Sequence, residues 1–247
     1  MSKFYHLWQG GIPENKIEAK QIHIWRASLD LSELKIRDLL KTLSLEERER
    51  ASRFHFEKDR KRFISGRGSL RQILALYLGK QAQDIEFAYT ANGKPLIQTS
   101  LGAEALKFNL SHSGEWMLLA ISMDREIGID IEHIRHNIEV QEIAQRFFSP
   151  AEIRSLEQLH GIEQVERFYR YWTRKEAFIK AIGMGISFPL EQVDVFQQSG
   201  KLWSPVQIVG NRDNPAWYSK DIFLAQDYMA AIVVEGDDCE LSYREFH

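Results

Sequence analysis

Gly128-Ile129-Asp130-Ile131-Glu132 follows the apolar run Met117 to Ile121 and alternates with the period of a strand. Successive strand side chains point to opposite faces, so Ile127, Ile129 and Ile131 take one side and Gly128, Asp130 and Glu132 the other. Two carboxylates then share a face, where each raises the other's pKa unless a cation sits between them. With only oxygen donors on that face, a hard ion fits, magnesium before zinc. Gly128 removes a side chain from the same face and lets a ligand approach the backbone. A strand with a solvated acidic face has the same pattern, so a second stretch has to decide between the two.

That stretch is Val165 to Ile182, V-E-R-F-Y-R-Y-W-T-R-K-E-A-F-I-K-A-I, which lacks Gly and Pro and meets Gly183 as a helix end does. Its apolar stripe runs Val165, Phe168, Tyr169, Trp172, Ile179, and Glu176 falls on it. An unpaired carboxylate there is expensive to bury. Lys180, one turn on, leans the same way, and an exposed Glu-Lys pair is the competing reading.

Together the two stretches resemble the signature pair G-x-D-x-E and W-x-x-K-E-[AS]-x-x-K of the 4'-phosphopantetheinyl transferases, in their surfactin-type (Sfp-like) subfamily. Phe108 to Gly114 (F-N-L-S-H-S-G), Gly93 to Pro95 (G-K-P), Arg146 to Ser149 (R-F-F-S) and Arg53 to Phe63 follow in that family's order, so the resemblance spans roughly residues 45 to 195. It implies an enzyme that moves the phosphopantetheine arm of coenzyme A onto a serine of an apo acyl or peptidyl carrier protein, releasing adenosine 3',5'-bisphosphate. Asp130, Glu132 and Glu176 would hold Mg2+, Glu176 is the candidate base, and Lys180 would stabilise charge on the phosphates or leaving group. Coenzyme A would meet Arg50, Arg62, Lys94, Ser111, His112 and Lys175, with His112 near the 3'-phosphate. Glu47 stands where the family pattern often has lysine, which removes one phosphate contact. The region after G-I-D-I-E would receive the carrier, with Arg135 and Arg146 steering it, Ile134 and Ile138 in contact and Ile143 and Phe147 in the core.

The rest of the chain agrees with such an enzyme. It has 247 residues, 44% hydrophobic and 27% charged, enough for one large or two small domains with a sizeable core. A net charge of −3 argues against a nucleic-acid or anionic-membrane binder, although residues 48 to 71 are locally basic. The single cysteine, Cys239, forms no internal disulfide and suits a reducing cytoplasm. No apolar run has the length of a membrane span, and residues 1 to 11 contain no signal-peptide core.

Expected elements repeat. A strand at Gln21 to Leu29, a helix opened by the capping box Ser44/Glu47 and an apolar helix ending at Gly79 precede strands at Ile85 to Tyr89, Leu106 to Leu110, Trp116 to Ser122 and Ile127 to Ile131. The last three read as an antiparallel meander, and Asn92-Gly93 as a hairpin turn. Helices follow at Val140 to Phe148, from Ser149-Pro150 to His160 and at Val165 to Ile182. Strands then follow near Val193 to Phe196, Lys201 to Trp203, Ile222 to Ala225, Tyr228 to Val234 and Leu241 to Phe246. Strand, long helix, then strands occurs twice. The expected fold class is α+β, two similar α/β subdomains (residues 1–123 and 124–247) related by a pseudo-two-fold axis, with the ligand site at their interface and a monomer that is its own pseudo-dimer.

Overall fold

Two 22-residue helices, each stopped by a glycine in the left-handed conformation (Gly79 φ 61°, Gly183 φ 69°), set the plan of the molecule. The computed structural model describes residues 8–10, 17–98, 106–123, 125–185, 188–196, 203–208 and 216–247. Strands β1 (Gln9–Gly10) and β2 (Gln21–Ser28) precede helices α1 (Glu33–Thr42), α2 (Leu45–Ser52) and the long α3 (Glu57–Leu78). The hairpin β3 (Phe87–Tyr89) and β4 (Pro95–Ile97) and the pair β5 (Leu106–Ser113) and β6 (Trp116–Met123) complete the first half. The second half runs β7 (Ile127–His133), α4 (Val140–Phe147), α5 (Pro150–Glu157), the long α6 (Gly161–Ile182), β8 (Val193–Asp194), β9 (Ser204–Ile208), β10 (Trp217–Ile222), β11 (Tyr228–Glu235) and β12 (Glu240–Phe246).

Two five-stranded sheets result, ordered β1-β12-β2-β6-β5 and β7-β11-β10-β9-β8. The antiparallel cores β2-β6-β5 and β7-β11-β10 have the same connectivity, so the repeat read from the sequence is present strand for strand. The expected division at Asp124, a residue outside the described ones, is crossed by β12, which pairs in parallel with β2.

Alternation sorts the side chains into layers. Trp25, Ala27, Leu119 and Ile121 face Leu70, Ile73 and Leu74 of α3. The opposite face, Ile22, Ile24, Leu118 and Ala120, meets Ile127, Ile129, Ile131, Ala230 and Ile232 of the second sheet. Val233 and Trp217 turn the other way, onto Ala177, Phe178 and Ala181 of α6. The order is therefore helix, sheet, sheet, helix.

Three expectations change. The meander of β5, β6 and β7 does not form, because both edges of β6 are taken by β2 and β5, and β7 pairs with β11 in the other sheet. The strand expected at Ile222 to Ala225 lies earlier, at Trp217–Ile222. Of Lys201 to Trp203, the first two residues lie outside the described ones, and the strand begins at Ser204.

Each half carries the same internal staple. Ser44/Glu47 and Ser149/Glu152 form complete capping boxes at the starts of α2 and α5. Glu47 accepts from Arg71 Nε at 2.7 Å, and Arg71 also donates to the carbonyls of Ala82 and Ile85. Glu152 meets Lys175 Nζ at 2.9 Å, and Lys175 donates to the carbonyls of Leu190 and Val193. In both halves the buried cation ties a short helix to the turn that follows the long one.

Candidate active site

Gly128 brings β7 against α6. A Cβ there would run into the carbonyl oxygen of Ala177 and the amide nitrogen of Ala181, so only glycine lets strand and helix backbones touch. Asp130 and Glu132 follow on the same face of β7, and α6 presents Glu176 and Lys180 beside Ala177 and Ala181. β5 clasps β7 from its edge with alternate polar residues. Asn109 Oδ1 accepts from Ile129 N at 2.8 Å, Ser111 Oγ donates to Asp130 Oδ1 at 2.9 Å, and Ser113 Oγ donates to Glu132 Oε2 at 3.1 Å.

Asp130 is 3% exposed. Lys180 Nζ donates to its Oδ1 at 2.6 Å and to Ser111 Oγ at 2.8 Å, while Oδ2 is buried with no partner among the described residues. Burial pushes Asp130 above the usual carboxylate range, against the pull of Lys180. Burial and then the Asp130 charge push Glu132 up. Glu176 is pushed up to about 7, first by burial and then by Asp130. The Asp130 charge thus raises both Glu132 and Glu176, while Lys180 opposes the rise in all three. Among the described residues, no three His, Cys, Asp or Glu side chains already converge closely enough to hold a metal ion.

A cavity of about 1100 Å3 opens in front of Glu176 and Lys180, between α3, the β3–β4 turn, β5 and the C-terminal end of α6. Its lining includes Arg50, Arg62, Lys94, His112, Glu176 and Lys180, so six of the residues singled out in the sequence surround one space. Arg50 stacks 5.2 Å over the ring of Phe63. Arg62 forks onto Asp30, with Nε and NH2 at 2.7 and 2.8 Å. Burial of its ring and then Lys180 lower the His112 pKa. Lys94 donates to the carbonyl of Lys180 at 2.8 Å, at the end of α6 where unpaired carbonyls favour a cation. Ser111 lies behind the cavity wall, buried between Asp130 and Lys180.

Lys175 is a correction. The signature pattern placed it among coenzyme contacts, but it is 0% exposed and its ammonium is committed to Glu152 and two carbonyls. Ile134 is another: at 7% exposure it belongs to the core rather than to a docking face, and Ile143 and Phe147 are only partly covered. Within α4 the buried positions are Val140 and Ala144. Glu47, the residue in place of the expected lysine, is buried and takes Arg67 as well as Arg71. Part of the basic run is paired in the same way, Arg60 with Glu57, Lys61 with Glu33 and Arg62 with Asp30. The residues missed, Asn109 and Ser113, stand inside the quoted F-N-L-S-H-S-G, and their period-two spacing toward β7 was the available signal.

Comparison with known proteins gives matches along both halves. A family model described as the 4'-phosphopantetheinyl transferase superfamily matches residues 126–233, and one described as 4'-phosphopantetheinyl transferase, N-terminal, matches residues 25–124. The chain is 37% identical over 231 residues to the 4'-phosphopantetheinyl transferase HetI of Nostoc sp., covering 94% of each protein. It is 37% identical over 161 residues to the 4'-phosphopantetheinyl transferase Sfp of Bacillus subtilis, covering 65% of this chain and 69% of that one. A solved holo-(acyl-carrier-protein) synthase from Bacillus anthracis, in complex with CoA, aligns at 23% identity over 44% of this chain and 93% of its own, with a TM-score of 0.38. No helix among the described residues is long and apolar enough to cross a membrane.

Proposed function

The chain belongs to the 4'-phosphopantetheinyl transferase family, and from that membership we propose how its site works. It transfers the 4'-phosphopantetheine arm of coenzyme A to carrier proteins. Coenzyme A, as co-substrate, fills the cavity with its phosphates toward Arg50, Arg62 and His112. Lys94, tied to the end of α6, reaches the same phosphates only by giving up a carbonyl.

Asp130, Glu132 and Glu176 fit a divalent oxygen-binding ion, Mg2+ before others. The supporting observation is the Asp130 Oδ2, buried without a partner, beside Glu132 and Glu176, whose own ionisation the Asp130 charge makes costlier. Those three residues would hold the ion, with Lys180 donating to the other oxygen of Asp130, and the ion's charge would offset that of the pyrophosphate oxygens. The acceptor is a serine hydroxyl of the carrier. Its oxygen forms a bond to the phosphorus that carries the pantetheine arm, and the bond from that phosphorus to the bridging oxygen breaks. Glu176, with a pKa near 7, takes the serine proton. Adenosine 3',5'-bisphosphate leaves, and Lys180 is the cation placed to meet its charge. The carrier docks beside Glu132, where Arg135, exposed after β7, meets an acidic partner.

The observation that carries this reading is the meeting of Glu176 and Lys180, packed beside Asp130 and Glu132, with Arg50, Arg62, Lys94 and His112 at one cavity. Incubation with magnesium, coenzyme A and an apo carrier protein, followed by weighing the carrier, tests it. A carrier that gains the phosphopantetheine mass only with the metal present supports the reading. A carrier that stays apo, or is bound without gaining mass, contradicts it.

A further inference from the structure

The two staples are not alike at one position, and that position faces the cavity. Four residues before the buried cation, α6 has Tyr171, 1% exposed, whose hydroxyl donates to Ser155 Oγ at 3.0 Å and accepts from Arg167 at 3.4 Å, so the second half places a buried ring here. At the matching place α3 has Arg67. Its Nε donates to Glu47 Oε1 at 2.5 Å, its guanidinium stacks 4.1 Å over Phe87, and its NH2 donates to the hydroxyl of Tyr89 at 2.6 Å. The first network therefore runs outward, from Ser44 and Arg71 through Glu47 and Arg67 to a tyrosine that lines the cavity and is 56% exposed.

An exposed tyrosine is ordinarily held by nothing but its own rotamer preference. Here the hydroxyl is anchored to an arginine that is itself pinned by a buried glutamate, and the ring, with the guanidinium 5.9 Å from its centroid on one side, still lines the cavity. A ring fixed at one end and open on its face is a stacking platform, since an aromatic surface held in advance loses little freedom when a second ring is laid on it. We infer that Tyr89, oriented by Arg67 and Glu47, stacks the purine base of the coenzyme. The inference rests on the reading that coenzyme A fills this cavity. It assigns the β3 end of the cavity to the base and leaves Arg50, Arg62 and His112 to the phosphates. Phe54, also in the lining, is not equivalent: its ring packs 5.3 Å from Phe63 and no polar group fixes it.

The test compares coenzyme A with an abasic analogue that keeps the phosphates and the pantetheine arm, bound to the full-length protein and measured by calorimetry. Base stacking on an aromatic ring is worth from about fivefold to about a hundredfold in affinity, so the wild-type protein prefers coenzyme A by about tenfold or more. Tyr89→Ala lowers that preference about tenfold and leaves the abasic analogue unchanged, and Tyr89→Trp restores it. Because Tyr89 is exposed, both variants keep the fold, which a thermal melt checks. An undiminished preference in Tyr89→Ala, or a preference lost in Phe54→Ala instead, overturns the assignment while coenzyme A still binds. Failure of the wild-type protein to bind coenzyme A at all removes the reading of the cavity and this inference with it.

Discussion

In the first half of the molecule the long helix is held off its strand by large side chains, and in the second half it is not. Tyr77, two residues before Gly79, accepts from Trp25 Nε1 at 2.8 Å and meets His23 Nδ1 at 2.7 Å, so His23, Trp25 and Tyr77 fill the space between β2 and α3. Ala181 stands two residues before Gly183, and opposite it β7 offers Gly128, with Asp130 next on that face. One architecture thus has a filled seam and an open one. Removing the filler lets α6 lie on β7, and only then can Lys180 reach Asp130 at 2.6 Å. The half that carries Asp130, Glu132 and Glu176 is the half with the open seam.

Substitutions that exchange the characters of the two seams and staples test this. The largest effect is expected at the second staple. Glu152→Ala strands the fully buried Lys175, and losing one partner of a buried pair costs about 3–5 kcal/mol, read from denaturant unfolding. Glu47→Ala costs less, because Glu47 and Arg67 both border the cavity, where water can reach the charge left behind, whereas Glu152 and Lys175 are fully buried. Next comes Gly128→Ala. Its methyl pushes α6 off β7, and transfer falls by about a hundredfold because Glu176 and Lys180 move together. A rate within about threefold of wild type would mean that close approach is not what builds the site.

A smaller effect follows from the filled seam. Burial, with Arg244 adding to it, lowers the His23 pKa from 6.5 to about 4. The folded protein binds fewer protons there than the unfolded chain, so the contribution is fully present above pH 6.5 and is lost as pH falls from 6.5 toward 4. The loss is about 3 kcal/mol, and His23→Phe should flatten the melting temperature over that window. An unchanged acid limb would put the titration elsewhere. The smallest effect is at Arg135. Arg135→Glu raises the apparent KM for an acidic carrier a few-fold at low salt and leaves that for coenzyme A unchanged, and a rise for coenzyme A instead would place docking on another face.

Much of this was legible in the sequence. The alternation of Ile127 to Glu132 gave the strand and its acidic face, the stop at Gly183 gave the helix, and Ser44/Glu47 and Ser149/Glu152 gave two helix starts where the structure has them. Partner choice was not legible. Nothing in β6 says that both its edges are occupied, so β7 read as its neighbour when it belongs to β11. Nor does spacing along one helix say which lysine faces inward: Lys175 and Lys180 both sit in the signature, and only packing against α5 and β7 separates a staple from a site cation. Arg67 was hidden in a basic run for the same reason, since its partners Glu47 and Tyr89 lie 20 and 22 residues away along the chain.

The central claim is that Asp130, Glu132 and Glu176, drawn together across the open seam, form one metal-dependent centre. Its most direct test is the mass of an apo carrier protein after incubation with coenzyme A, over a magnesium titration, for the wild-type protein, Asp130→Ala, Glu132→Ala and Glu176→Gln. The wild type should transfer only with the divalent ion, and each variant should be slower by at least about a hundredfold at saturating magnesium while its melting temperature holds. Transfer without any divalent ion, or comparable rates in any of the three variants at saturating magnesium, would contradict it.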